Sequence, residues 1–327
     1  MKKYYPLLLV ILISLTACNK EEPLKPVNMT LAAEMSLLPA TVWVAEKLGY
    51  FKEAGLNLTI KEFDSGRNAL ENMLKNKSIN MATVAQTPVV FNSFNKEDYV
   101  IIATMAHSID DVKVLARKDH GIKTANDLKG KKIGATLRST GHYFLEGFLT
   151  NHNMSLKDVD LHDVNAAKLK GKLISGKLDA ITSWEPHIYN TKKVLDKSKL
   201  TQLLSPVPFR KDFFFTVGKS YVKTNKEQVS RFLKAVLKAE EFIGEHRDEA
   251  QKITAKKLGA DPQIVKSIWD AFIFEITLEQ SILVGLEDEA QWAIDIGYTQ
   301  KTAPNYLSFI HLDSLKKIKP AAVNIIH

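Results

Sequence analysis

The stretch Leu38-Pro39-Ala40-Thr41-Val42-Trp43-Val44-Ala45-Glu46-Lys47-Leu48-Gly49-Tyr50-Phe51-Lys52-Glu53-Ala54-Gly55-Leu56, together with the residues that follow it to Phe63, decides the fold. Proline is well placed at the start of a helix, where its missing N–H removes no hydrogen bond. Apolar residues follow at helical spacing, and Gly49 supplies the stop. Leu56 to Phe63 then alternates apolar and polar, as a strand with one buried face does. A helix feeding a strand is half of a strand–helix–strand unit. Upstream, Asn28 to Ala33 is a short strand candidate that completes it.

The same alternation continues outward. Asp64-Ser65-Gly66 reads as a turn and helix cap before an amphipathic helix at Asn68 to Lys75. Ile79 to Val84 reads as a strand, Pro88 opens another helix, and Val100 to Ala106 is a further strand. After Asp127 come a strand at Lys132 to Ala135, a helix at His142 to Asn151, a strand at Val159 to His162, a helix at Ala166 to Ser175 and a strand at Ala180 to Thr182. From Lys226 onward the pattern is almost wholly helical. Alternating strands and helices imply α/β architecture, with mixed sheets flanked by helices on both faces. Short β-prone stretches at Val112 to Arg117 and Phe213 to Val217 are the expected crossings between two lobes. The division expected is residues 28–111 with 218–327 as lobe 1, and 112–217 as lobe 2. Phe213-Phe214-Phe215 reads as buried strand rather than as a platform for stacking.

The first eighteen residues follow different rules. Lys2 and Lys3 precede Leu7-Leu8-Leu9-Val10-Ile11-Leu12-Ile13, then Leu15-Thr16-Ala17-Cys18. A charged start, a short apolar run and small residues make a signal peptide at 1–17. The run is shorter than the roughly 20 residues that span a bilayer. Leu-x-Ala-Cys resembles the lipobox of bacterial lipoproteins, which implies lipidation of Cys18 and export to a membrane-anchored position in the periplasm or on the outer face of the cytoplasmic membrane. Residues 18–27, polar and with two prolines, read as a flexible tether.

Bulk numbers narrow the classes. Of 327 residues, 310 remain after position 17, roughly two domains' worth of chain. Hydrophobic content of 45% permits a sizeable core. The single cysteine excludes an internal disulfide, so stability must come from packing. The formal charge of +8 falls to about +6 without Lys2 and Lys3, and the lysines are dispersed along the chain. A solvated basic surface accounts for that, and no nucleic-acid partner is expected. Nine histidines show no His-Glu-x-x-His spacing, so no metal site is expected. Gly-x-Ser-x-Gly and the phosphate-binding Gly-rich loop are absent, and neither a catalytic residue nor a cofactor is expected.

The opening stretch, with its Gly49-Tyr50-Phe51-Lys52-Glu53-Ala54-Gly55-Leu56, resembles the start of the nitrate/sulfonate/taurine-type solute-binding proteins of ABC importers. Asp64-Ser65-Gly66, Ala125-Asn126-Asp127-Leu128-Lys129-Gly130-Lys131-Lys132-Ile133-Gly134 and Trp184-Glu185-Pro186 extend the resemblance, which covers roughly residues 28–258. Beyond that, the chain matches only in being helical. The resemblance implies a two-lobed periplasmic-binding-protein fold with a two-strand hinge. It also implies a small-molecule ligand in the interlobe cleft, a monomer, and an ABC permease in the cytoplasmic membrane as partner.

Loops after strands supply the candidate ligand contacts. They are Ser36; Gly66 and Arg67; Gln86 and Thr87; Arg138, Ser139 and Thr140; and Trp184 with Glu185. Hydroxyls and free amides at the start of the helix after Arg138 favour an anion, though Ser139 or Thr140 as a simple cap explains them equally. Gly66 permits close approach of a ligand, and a cap by Asp64 or Ser65 explains that turn as well. Trp184 offers an aromatic face and Glu185 a negative charge for an amine or a polar ring. A zwitterionic aminosulfonate would use both ends; a heteroaromatic thiamine-pyrimidine precursor would use the second. An enzyme on the same fold, and a lipoprotein that senses or adheres, are the readings from other classes.

Overall fold

The computed structural model describes Met1, residues 25–95 and residues 98–326. Cys18 and most of the expected signal peptide and tether lie outside these. Among the described residues, ten strands form two five-stranded sheets. The first contains β1 (Val27–Glu34), β2 (Leu56–Phe63), β3 (Met81–Ala85), β4 (Tyr99–Ser108) and, from much later in the chain, β10 (Lys211–Gly218). The second contains β5 (Val112–Arg117), β6 (Lys132–Ala135), β7 (Asp160–Asp163), β8 (Ala180–Trp184) and β9 (Leu200–Leu203). The orders are β2-β1-β3-β10-β4 and β7-β6-β8-β5-β9. β1 is parallel to both β2 and β3, and β6 to both β7 and β8; β10 and β5 run against their neighbours.

The opening helix runs Ala40–Leu48, and Gly49 ends it in the left-handed conformation at φ 78°. Ser65 caps the next helix, Gly66–Lys75, by accepting the Asn68 amide at 3.3 Å. Each sheet is covered on both faces, as parallel pairing requires. One apolar cluster surrounds the first sheet and two smaller ones sandwich the second. Phe213, Phe214 and Phe215 are fully buried, in the strand between β3 and β4.

That strand corrects the expected division. β10 pairs with β4 along its length and with β3 from Phe213 to Val217, so 211–217 belongs with the first sheet and not with the rest of the expected lobe 2. The chain passes between sheets at 109–111 and at 204–210, before each of the β-prone stretches rather than within them. A run of buried aromatics demands neighbours on both sides, and the large first core supplies them. The two passages are tied by an ion pair between Lys211 and Asp111, both almost wholly buried.

The C-terminal part is more than a helical coat. After helices Lys226–Glu245 and Arg247–Leu258 it lies along the free edge of β4, where the His107 amide donates to Ile273 O at 2.9 Å and the Thr104 amide to Thr277 O at 2.8 Å. Covering an edge strand removes a site of unwanted pairing. The chain then enters the helix Gln280–Asp295, which packs on the helix Gln86–Ser93.

Candidate functional site

Five loops leave the carboxyl ends of parallel strands: those after β1, β2 and β3 from the first sheet, and those after β6 and β8 from the second. In open α/β sheets this is where ligands bind. The two groups of loops touch. The Thr87 and Thr140 hydroxyls lie 2.8 Å apart, both buried. Arg67 Nη2 donates to Arg138 O at 2.7 Å. Below them the Trp292 indole N–H bonds Glu146, and Tyr143 packs on the Trp292 ring at 5.0 Å.

Each candidate residue has a definite place. Ser36 Oγ accepts the Leu38 amide, and Ser36 O accepts Trp43 Nε1 at 2.9 Å, so this serine shapes its own loop. The Gly66 amide donates to Glu34 Oε2 at 3.0 Å. A Cβ on Gly66 would lie 2.9 Å from Val84 Cα, so the glycine is required by the neighbouring strand rather than by room for a ligand. Arg67 is exposed and engaged with Arg138. Arg138 itself sits at φ 57°, a turn conformation few residues adopt, and presents its carbonyl to Arg67.

The loop after β6 is tightly organised. Ser139 stands at the cap position of the helix Thr140–Thr150, yet its hydroxyl donates to Thr136 O at 2.6 Å and caps nothing. Thr140 is the first helical residue, next to amides that lack partners within the helix. The Arg138 amide donates to His142 Nδ1 at 3.3 Å, which fixes the neutral tautomer with the proton on Nε2. Burial lowers the His142 pKa to about 4, in keeping with a ring that stays uncharged.

Trp184 stacks on this turn, with its ring edge 3.5 Å from where a Gly141 Cβ would stand, and Lys211 Nζ lies 5.9 Å from its ring centre. Glu185 is different from expectation. Its carboxylate accepts the Tyr189 amide at 2.8 Å and lies 3.4 Å from Lys113 Nζ, while its own amide donates to Asp111. Burial raises its pKa against the pull of Lys113. Its charge is neutralised and both oxygens are occupied, which suits a helix-start anchor rather than a receiver for an amine.

Two acids that the sequence did not single out stand at the first-lobe wall. Glu34 ends β1, and desolvation raises it to about 7 against the attraction of Lys211. Glu289, on the helix Gln280–Asp295, is 1% exposed and likewise raised to about 7 by burial. Its Oε2 accepts Gln86 Nε2 at 3.0 Å, and the same Gln86 nitrogen donates to Gly285 O at 3.0 Å. Gln86 and Thr87, both expected at the site, lie at this contact between the loops, with the Gln86 amide held by Gly285 and Glu289.

A family model described as NMT1/THI5 like matches residues 39–250. Over 283 residues the chain is 25% identical to a Bacillus subtilis protein named for binding aliphatic sulfonates, covering 82% of each. Over 272 residues it is 24% identical to the Bacillus subtilis binding protein YtlA, covering 79% of this chain and 78% of that one. Its fold superposes on the periplasmic aliphatic sulphonate binding protein SsuA of Escherichia coli with a TM-score of 0.75, at 17% identity, over 88% of this chain and 92% of that one.

Proposed function

We propose, for a chain that belongs to the NMT1/THI5-like family, that it is the extracytoplasmic substrate-binding component of an ABC importer. It holds a small polar or anionic organic solute, of the sulfonate class, between its two lobes and hands it to a permease. The observation that carries this reading is the meeting of Thr87 and Thr140 at 2.8 Å. Hydroxyls from loops of both sheets converge there beside the N-terminus of an eleven-residue helix. Helix N-terminal amides favour an anion, and a contact contributed by both lobes lets a ligand stabilise their closure. The relatives named for sulfonate binding support the same class. Such a protein binds and releases its solute unchanged.

Export and membrane tethering belong to this proposal. The segment ending Leu15-Thr16-Ala17-Cys18 supports processing before Cys18 and a lipid anchor there. Cys18→Ala is expected to leave the precursor unprocessed or release the protein to the soluble fraction; a processed variant that partitions with membranes like wild type contradicts the anchor.

A thermal-shift screen of the domain from residue 25 onward tests the binding reading, since a ligand that binds only the folded state raises its melting temperature. Alkanesulfonates or aminosulfonates are expected to do so. A shift by pyrimidines alone would replace the sulfonate class with the heteroaromatic one. Lack of any shift across both classes would remove the solute-binding reading.

A further inference from the structure

The helix Gln280–Asp295 buries the stripe Ile282, Leu286, Ala290 and Ala293 in the first core. Glu289 stands on that stripe, while Glu287 and Asp288 beside it are exposed. An acid on the apolar face of a helix is held there by something. Gln86 satisfies Oε2, and the packing is close: a Cβ at Gly285 would come within 3.3 Å of the Gln86 amide. The second oxygen, Oε1, is buried and has no hydrogen-bond partner. The Thr87 hydroxyl approaches the carboxyl and pulls its pKa down without completing a bond to Oε1. Native proteins rarely leave such an acceptor unmatched, because desolvating it without a donor is unfavourable.

The orphan oxygen stands at the seam between the lobes. Thr87, its neighbour, touches Thr140 of the other lobe. Tyr143, on the second-lobe helix, has its hydroxyl pushed up by burial first and by the charge of Glu289 next. The Tyr306 hydroxyl of the first lobe, bonded to Ser93 at 2.9 Å, is pushed up by burial first and feels the charge of Glu289 as well. The cation that attracts Glu289 is Lys211, and its ammonium is held by Asp111. Among the described groups that interact with the Glu289 charge, then, are two tyrosines and a cation, Lys211, that is paired elsewhere.

We propose that Glu289 is a ligand contact, its Oε1 receiving an N–H from a nitrogen of the bound solute whose polar or anionic end lies at the Thr140 turn. This rests on the solute-binding reading above and narrows it: the solute carries both an acceptor-rich end and an amino-type nitrogen. The two ends match the two walls, since helix amides donate and a carboxylate accepts. Glu185, which looks in the sequence like the amine receiver, has its oxygens filled by Lys113 and the Tyr189 amide.

Calorimetry with two matched pairs tests the assignment: 2-aminoethanesulfonate against ethanesulfonate, and 4-aminopyrimidine against pyrimidine. In at least one pair the amine-bearing member is expected to bind about tenfold tighter or more, the range of a hydrogen bond to a charged group. Glu289→Gln is expected to reduce that preference at least fivefold while leaving the binding of the amine-free partner in place. The preference is also expected to grow from pH 5.5 to 8, as the carboxyl ionises through about 7. If Glu289→Gln does not fold, Glu289→Asp, which keeps the charge but withdraws it by one methylene, is expected to show the same loss. Equal binding of both members of each pair, or a preference untouched by the substitution, overturns this assignment and leaves the solute-binding reading standing. Failure of all four compounds to bind overturns both.

Discussion

Glu185 and Glu289 are both buried carboxyls beside the contact between the lobes, and they differ in one respect. Glu185 is saturated: Lys113 stands at one oxygen and the Tyr189 amide at the other, while its own amide donates to the Asp111 carboxylate. Glu289 is half satisfied, with Gln86 on one oxygen and nothing on the other. The contrast separates two uses of the same side chain. A carboxylate whose partners all come from the protein builds structure, and one left with an unmatched oxygen at a seam is available to something that arrives.

The sharpest way to break this contrast is to remove each acid and ask what is lost. Glu185→Ala takes one carboxylate from Lys113 in a setting where both side chains are under a tenth exposed, leaves that lysine the more exposed Asp110 at 3.2 Å, and strips the Tyr189 amide of its acceptor. Losing these bonds is expected to cost about 1–3 kcal/mol in denaturant unfolding, with ligand discrimination changed only as the fold weakens. Glu289→Gln is expected to shift neutral-pH stability of the ligand-free protein far less. A large loss of stability from Glu289→Gln, equal to that of Glu185→Ala, would make both acids structural.

pH dependence sharpens the same comparison. Glu289 titrates near 7 when folded and near 4.5 as an ordinary carboxyl. The folded state therefore holds its proton more tightly, so its contribution to stability is full below about 4.5 and falls as pH rises to about 7. For one such group the fall is at most about 3 kcal/mol. Glu289→Gln is expected to reduce the slope of that segment to the part contributed by Glu34; an unchanged slope between pH 4.5 and 7 would mean that the Glu289 carboxyl titrates normally.

Smaller effects test the loops. Gly66→Ala forces a methyl to within 2.9 Å of the β3 backbone and is expected to cost about 1–3 kcal/mol of stability. A neutral result would return Gly66 to the list of residues that make room for a ligand. Thr140→Ala removes a hydroxyl that contacts Thr87 and caps no helix. It is expected to weaken ligand binding roughly tenfold, with melting of the free protein lowered by no more than a degree or two, on the order of what a fraction of a kcal/mol does to a domain of this size.

Much of the fold was legible because its signals are local. Helix spacing closed by Gly49, alternation from Leu56 to Phe63, and buried apolar runs announce units that the structure contains within a residue or two. Loops after strands were legible for the same reason, and Thr87 and Thr140, from two of those loops, meet in the structure. What stayed hidden depends on tertiary neighbours. Nothing local in Phe213 to Val217 says which sheet the strand joins; pairing with β3 and β4, more than 100 residues earlier, decides it. Glu185 looked available because Lys113 is 72 residues away. Glu289 sits in a run of three acids, and only its register with Ile282, Leu286 and Ala293 marks it as the inward one. That register was the signal to follow.

The central claim is that a small solute is held between the two lobes, touching both. Amide hydrogen exchange, with and without the sulfonate or pyrimidine that raises the melting temperature most, tests it directly. The expected result is new protection at Arg138 to Tyr143 of the second lobe and at Ala85 to Val90 of the first, rising together with ligand concentration. Protection confined to one lobe, or appearing instead at the outer groove of the first lobe lined by Met73, Ile79, Tyr221 and Asn225, would contradict it.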